Sequence, residues 1–208
     1  MLKGIYAISD EQLTPYETLQ NQLQEAIKGG ISLFQLRDKT HSDEEILEIC
    51  QRLQQQCKEN NVTFILNDRV ELAIKIKAQG LHIGKKDEMR PYNLEELLSI
   101  RKNFQGILGV SCYDDLNLAI QAKRIQANYV AFGACFKSLI KPEAKRVDLG
   151  IFKQCSGIAR CGIGGINAQN VALLREIEMV ACISSIWKGE IKENVKNLYQ
   201  GWRGSKDS

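Results

Sequence analysis

Residues 4–36 read GIYAISDEQLTPYETLQNQLQEAIKGGISLFQL. The run Gly4–Ser9 has the composition of a buried strand. Thr14-Pro15-Tyr16-Glu17 has the form of a capping box with proline at the first helical position. Leu19, Leu23, Ala26 and Ile27 then recur on one helical face. Leu33–Leu36 is apolar again and predicts a second strand. Strand, helix, strand is the unit of a parallel sheet buried on both faces.

Outward from this unit the alternation persists. Ser42-Asp43-Glu44-Glu45 is a second capping box, and its helix carries Ile46, Ile49, Cys50, Leu53 and Cys57 on one stripe. Further strands are predicted at Thr63–Leu66, Gly80–Ile83, Ile107–Val110, Tyr129–Phe132, Ile158–Cys161 and Val180–Ile183. Helices are predicted near Val70–Lys77, after Asn93, through Leu116–Ile120, near Leu149–Gln154, from about Asn167, and from Ile191 to Trp202. An open doubly wound sheet would share this pattern. Eight such units, with no G-x-G-x-x-G after the first strand, favour closure into a (β/α)8 TIM barrel. The chain is 208 residues long, short for a fold of ~250 residues but sufficient for one core. The expectation is one domain over residues 1–203 and a polar, frayed tail over 204–208.

Composition removes several classes of function. The net charge is +3, which leaves no electrostatic footprint for bulk nucleic-acid binding. No apolar run approaches the ~20 residues of a membrane span, and the N-terminus lacks signal-peptide architecture. The seven cysteines are widely spaced with no C-x-x-C, against a disulfide framework or zinc site. They read as small buried thiols in a reducing compartment, the cytoplasm.

In a barrel of this kind chemistry gathers at the C-terminal strand ends. The second strand ends in Gln35-Leu36-Arg37-Asp38-Lys39, where alternation puts Gln35, Arg37 and Lys39 on one side. Two cations and an amide suit an anion; a solvated turn with a surface ion pair is an equal alternative. Asn67-Asp68-Arg69 and Gly80-Leu81-His82-Ile83-Gly84, with Asp87 beyond, bring two carboxylates to adjacent strand ends. They fit a hard cation such as Mg²⁺, although each aspartate alone reads better as a helix cap. His82 reads as a satisfied core histidine. Ser111 is either an oxyanion donor or a cap, and nothing marks it as a nucleophile.

The segment Gly133–Pro142 is the longest loop and carries Lys137, Ser138 and Lys141. Its size favours function over a plain surface loop. Gly162-Ile163-Gly164-Gly165-Ile166-Asn167, read as lying just before a helix, lets backbone N–H groups approach a phosphate. Ile183-Ser184-Ser185 ends the last strand and adds donors. Two anion sites imply two phosphorylated substrates, one a diphosphate with Mg²⁺.

These blocks, taken with Tyr6-Ala7-Ile8-Ser9-Asp10, are collinear over nearly the whole chain and resemble the thiamine-phosphate synthase family. The resemblance implies transfer of a hydroxymethylpyrimidine group from its diphosphate to thiazole phosphate, releasing pyrophosphate. It implies a pyrimidine diphosphate held by Gln35, Arg37, Lys39, Asn67, Ser111 and Lys141. It places Mg²⁺ on Asp68 and Asp87, and the thiazole phosphate against Ser138, Gly164, Ile183 and Ser184. Lys39, Lys141 and Ser111 are the expected catalytic groups; a homo-oligomer is compatible with the family. The chain departs from the family pattern at Lys85, in place of a glutamine, at Lys137, in place of a proline, and at Ile140, in place of a threonine. A related thiazole tautomerase and a non-catalytic thiamine-ligand-binding barrel are the alternatives. Retention of Lys39, Asp68, Asp87 and Lys141 argues against the tautomerase, and Ile140 for it.

Overall fold

The structure, a computed structural model, describes residues 2–86, 90–137 and 145–204. Eight parallel strands close into a barrel. They are β1 (Gly4–Ile8), β2 (Leu33–Leu36), β3 (Thr63–Asn67), β4 (Gly80–Ile83), β5 (Ile107–Tyr113), β6 (Tyr129–Phe132), β7 (Ala159–Ile163) and β8 (Met179–Cys182). Each pairs with its sequence neighbour, and β1 pairs with β8 from Gly4↔Met179 to Ala7↔Cys182. The expected TIM barrel is therefore the observed one.

The helices are α1 (Tyr16–Gly29), α2 (Asp43–Glu59), α3 (Val70–Lys75), α4 (Leu94–Asn103), α5 (Leu116–Arg124), α6 (Ile151–Gln154), α7 (Ser184–Trp187) and α8 (Ile191–Arg203). Ser42 and Glu45 form the expected capping box of α2, and Asn93 and Glu96 form one for α4. The box expected at Thr14 does not form. Thr14 Oγ1 is engaged by Asp10, accepting from its N–H and donating to its carbonyl, so Pro15 becomes the cap of α1. The helix expected from Asn167 is instead a 3₁₀ turn at Val171–Leu174. Asn167 and Asn170 exchange side-chain bonds with local backbone N–H groups, which competes with an α-helical start.

Two apolar layers follow from the pleat of the strands. One packs strands against helices, through residues such as Phe34, Phe64, Leu81 and Trp202. The other fills the barrel with Tyr6, Ile8, Leu33, Ile65, Tyr129, Ala131, Cys161, Met179 and Ala181. All seven cysteines are buried and unpaired, in line with the sequence expectation. No described helix is long and apolar enough to cross a membrane.

Gly109 makes the interior layer possible. A β-carbon there would lie 2.0 Å from the Tyr129 ring. Gly109→Ala must displace that ring, so it is expected to cost about 1–3 kcal/mol, as overpacking does. Urea unfolding measures this; an unchanged midpoint would mean that the Tyr129 ring has room to move.

Candidate active site at the strand ends

Alternation turns Gln35 on β2 and His82 on β4 into the barrel, where both are buried. Gln35 Nε2 donates to Tyr6 Oη at 2.5 Å, and the Tyr6 and Tyr129 hydroxyls are 2.8 Å apart. Tyr129 Oη lies 2.9 Å from His82 Nδ1, and His82 Nε2 lies 2.8 Å from Ser111 Oγ. One chain of polar groups therefore crosses the barrel from β2 to β5. Burial pushes the His82 ring down to about 4, so it is neutral at physiological pH. Burial also pushes both phenols up, so they too are neutral.

His82 is a satisfied interior histidine, as the sequence indicated. Ser111 caps no helix, because Asp115 caps α5. The pairing of β5 with β6 is irregular between Ser111 and Tyr113, and this bulge sets both side chains toward Gly84. Burial and the Asp68 charge push the Tyr113 phenol up to about 12, while the neighbouring Ser111 hydroxyl opposes the rise.

Asp68 is not a helix cap either. Arg69 occupies that position in α3 and makes no side-chain cap. The Asp68 carboxylate instead accepts from the Gly84 N–H at 2.7 Å and from Asn67 Nδ2 at 2.8 Å. It thus ties the ends of β3 and β4 together, with its backbone at φ 58°. Burial raises its pKa, against the pull of these two donors and of the Lys39 and Arg37 charges. Those cations therefore share the mouth with it. Arg37 is half-buried, with Nη1 3.7 Å from Glu11, and Lys39 is exposed, its backbone N–H donating to Glu11.

Asp38, between the two cations, faces the other way and is buried. It accepts from Tyr16 Oη at 2.6 Å and from the Thr40 and His41 backbone N–H groups, with His41 Nδ1 at 2.7 Å. Arg69 Nη2 donates to it at 3.2 Å, while Arg69 Nη1 reaches Asp43 at 2.6 Å. Burial alone would raise the Asp38 pKa. The hydrogen bonds from Tyr16, His41 and Thr40 outweigh it and hold the carboxyl well below the usual carboxylate range. This brace fixes the loop from which Arg37 and Lys39 project. The same Asp38 bond raises the pKa of His41.

Across the mouth, Gly164 and Gly165 adopt φ 95° and 65°. A β-carbon at Gly164 would meet Ala134 at 2.7 Å, and one at Gly165 the Lys137 carbonyl at 2.4 Å, so only glycine lets this turn lie against the loop after β6. Half-buried Ile183 precedes α7, which begins at Ser184. The short helix beside this mouth is thus α7 rather than one after the glycine turn. Asp87, Ser138 and Lys141 lie outside the described residues, as do Ile140 and the tail residues 205–208.

The structure therefore brings Gln35, Arg37, Lys39, Asn67, Asp68 and Ser111 to the strand-end face of β2–β5, and Gly164, Ile183 and Ser184 to that of β7 and β8. Sequence reasoning gave no role to Tyr6, Tyr129, Tyr113 or the Asp38 brace. A tyrosine inside a buried strand was the available signal, because its hydroxyl needs a partner.

The thiamine monophosphate synthase family profile matches residues 5–186. The chain is 42% identical to the thiamine-phosphate synthase of Wolinella succinogenes, over 99% of its own length and 97% of the relative's. It is 34% identical to that of Thioalkalivibrio sulfidiphilus, covering 89% of the chain and 88% of the relative. Among solved structures, the thiamine phosphate pyrophosphorylase from Pyrococcus furiosus superposes with a TM-score of 0.81 at 27% identity, covering 98% and 97% of the two chains. Fold, strand-end residues and extended similarity lead to one assignment: the chain belongs to the thiamine monophosphate synthase family.

Proposed function

We propose that the chain is a thiamine-phosphate synthase. It joins the hydroxymethylpyrimidine group of a diphosphate donor to the nitrogen of thiazole phosphate and releases pyrophosphate. One observation carries the reading: Asp68 spends its carboxylate on the β3–β4 junction rather than on a helix cap, in the electrostatic reach of Lys39 and Arg37. A fixed carboxylate beside two cations suits a metal-bound diphosphate.

Asp68 fits Mg²⁺ as a donor. Each of its oxygens accepts one hydrogen bond, which leaves lone pairs on a hard, pre-oriented carboxylate. Mg²⁺ is commonly held by one or two carboxylates, with water and substrate phosphate completing its shell. Among the described residues no cluster of three metal-ligating side chains occurs. Asp87 would be the second carboxylate, by family resemblance. When bound, the ion would supply charge stabilisation to the departing diphosphate.

The remaining chemistry falls to the chain. Arg37 and Lys39 hold the diphosphate, and Lys39 offsets the charge that grows as the methylene–oxygen bond breaks. The electron pair leaves with pyrophosphate. The electron-rich aminopyrimidine carries the positive charge at its methylene, so no protein nucleophile is required. Gln35, Asn67 and Ser111 orient the pyrimidine donor. Gly164, Ile183 and Ser184 position the thiazole phosphate, so that its nitrogen forms the new bond to the methylene. Lys141 and Ser138 take the roles that the resemblance gives them, on the diphosphate and the thiazole phosphate.

The test is pyrophosphate release from the purified protein with both substrates, with and without Mg²⁺. Release that requires all three is expected. Isomerisation of a thiazole phosphate without pyrophosphate would replace this reading with a tautomerase.

A further inference from the structure

The chain Gln35–Tyr6–Tyr129–His82–Ser111 has a direction. Gln35 Nε2–H donates a hydrogen bond to the Tyr6 oxygen, so the Tyr6 hydroxyl is left to donate to its other neighbour, the Tyr129 oxygen. Tyr129 then has its own proton to give, and its remaining neighbour is His82 Nδ1. In a neutral imidazole an Nδ1 that accepts leaves the proton on Nε2. Nε2 therefore donates to Ser111 Oγ, 2.8 Å away. Ser111 receives a hydrogen bond from below and keeps its own proton.

We infer that Tyr6, Tyr129 and His82 are positioning residues, forming a one-way hydrogen-bond relay that makes the Ser111 hydroxyl an obligate donor to the bound substrate. The inference deepens the proposed function and rests on it in one respect, that Ser111 faces the pyrimidine donor. Phosphate oxygens and pyrimidine ring nitrogens are acceptors, so a serine with its proton outward binds them. The opposite polarity would spend that proton on His82 and turn a lone pair toward them. The Tyr113 hydroxyl lies on the same side, beside Gly84 with Ser111 Oγ. The relay also explains why two tyrosines occupy the barrel interior where aliphatic side chains would pack without needing partners.

The tautomer is directly observable. The sequence has two histidines, His41 and His82, so long-range ¹H–¹⁵N spectra of histidine-labelled protein contain two rings, assigned with His41→Gln. The expected result at neutral pH and without substrate is the Nε2–H form for His82. An Nδ1–H form or an imidazolium would overturn the relay whatever the enzyme's activity. Tyr129→Phe should lower kcat/KM about tenfold, the scale of one directed hydrogen bond. The double variant Tyr129→Phe/Ser111→Ala should be no worse than Ser111→Ala alone, because Tyr129 acts through Ser111. Losses that multiply would show that Tyr129 supports the barrel independently and would overturn its role as a positioning residue. Loss of pyrophosphate release in the wild type, with the Nε2–H tautomer intact, would count against the proposed function and not against the relay.

Discussion

Asp68→Asn is expected to lower the rate of pyrophosphate formation about a thousandfold, the scale on which a metal or electrostatic contact to a leaving group acts. Asparagine is the right replacement because the backbone of residue 68 sits at φ 58°, a conformation that asparagine tolerates better than most residues. The amide can still accept from the Gly84 N–H. On its other side an NH₂ would face the Asn67 NH₂, so the Asn67 amide must turn over, a local change. The fold is therefore expected to survive while the negative charge is lost. Residual activity should need more Mg²⁺ to reach half its maximum. Wild-type turnover with an unaltered Mg²⁺ requirement would overturn the proposed role of Asp68 as a metal ligand.

Asp38→Ala is the expected large loss of stability, about 3 kcal/mol, because it removes the acceptor of a buried, multiply bonded charge. For a chain of this size that lowers the melting temperature by roughly 6–12 °C. Tyr16 loses its carboxylate partner, and Arg69 loses the Asp38 carboxylate while keeping Asp43 and the backbone carbonyls of residues 38 and 41. Calorimetry measures the loss; a shift of under about 2 °C would mean that the brace carries little energy. The pH dependence of the wild type has a fixed sign. The folded pKa of Asp38 lies below its unfolded value, so its contribution is present above the unfolded pKa of ~4 and is lost as pH falls toward the folded one. The folded pKa of His41 is raised, so its contribution is present below ~6.5 and is lost as pH rises through the folded value. The His41–Asp38 bond therefore stabilises most between ~4 and ~6.5, and Asp38→Ala should abolish that dependence.

The barrel was legible because its signal is redundant. A buried apolar run followed by an amphipathic stripe recurs along the chain, and an error at one helix does not change the closure. The Thr14 and Asn167 errors share one cause. Short polar side chains bond the backbone beside them, and whether such a bond starts a helix or replaces it depends on neighbours such as Asp10 and Asn170. Candidate site residues were legible where charge or glycine stood at a strand end, as at Arg37, Lys39 and Gly164. Asp68 was ambiguous, since cap and ligand have the same sequence form, and only its bond to Gly84, on the next strand, separates them. The tyrosine relay was illegible for a different reason. Tyr6 and Tyr129 meet across 123 residues, and their polarity depends on Gln35 and His82 from two further strands.

The β1–β8 seam has a consequence for synthesis. Trp187 Nε1 donates to the Ile8 carbonyl across 179 residues, beside the pairing that closes the ring. At a translation rate of about 5–20 residues per second, Ile8 is made on the order of ten to forty seconds before its partner. Throughout that interval the nascent sheet carries a bare edge on β1 and another on its newest strand. Such edges recruit other chains. The vulnerable period of this protein is thus its own birth, and cells that make it quickly or in quantity are expected to rely on a chaperone that shields the first strand until the last arrives.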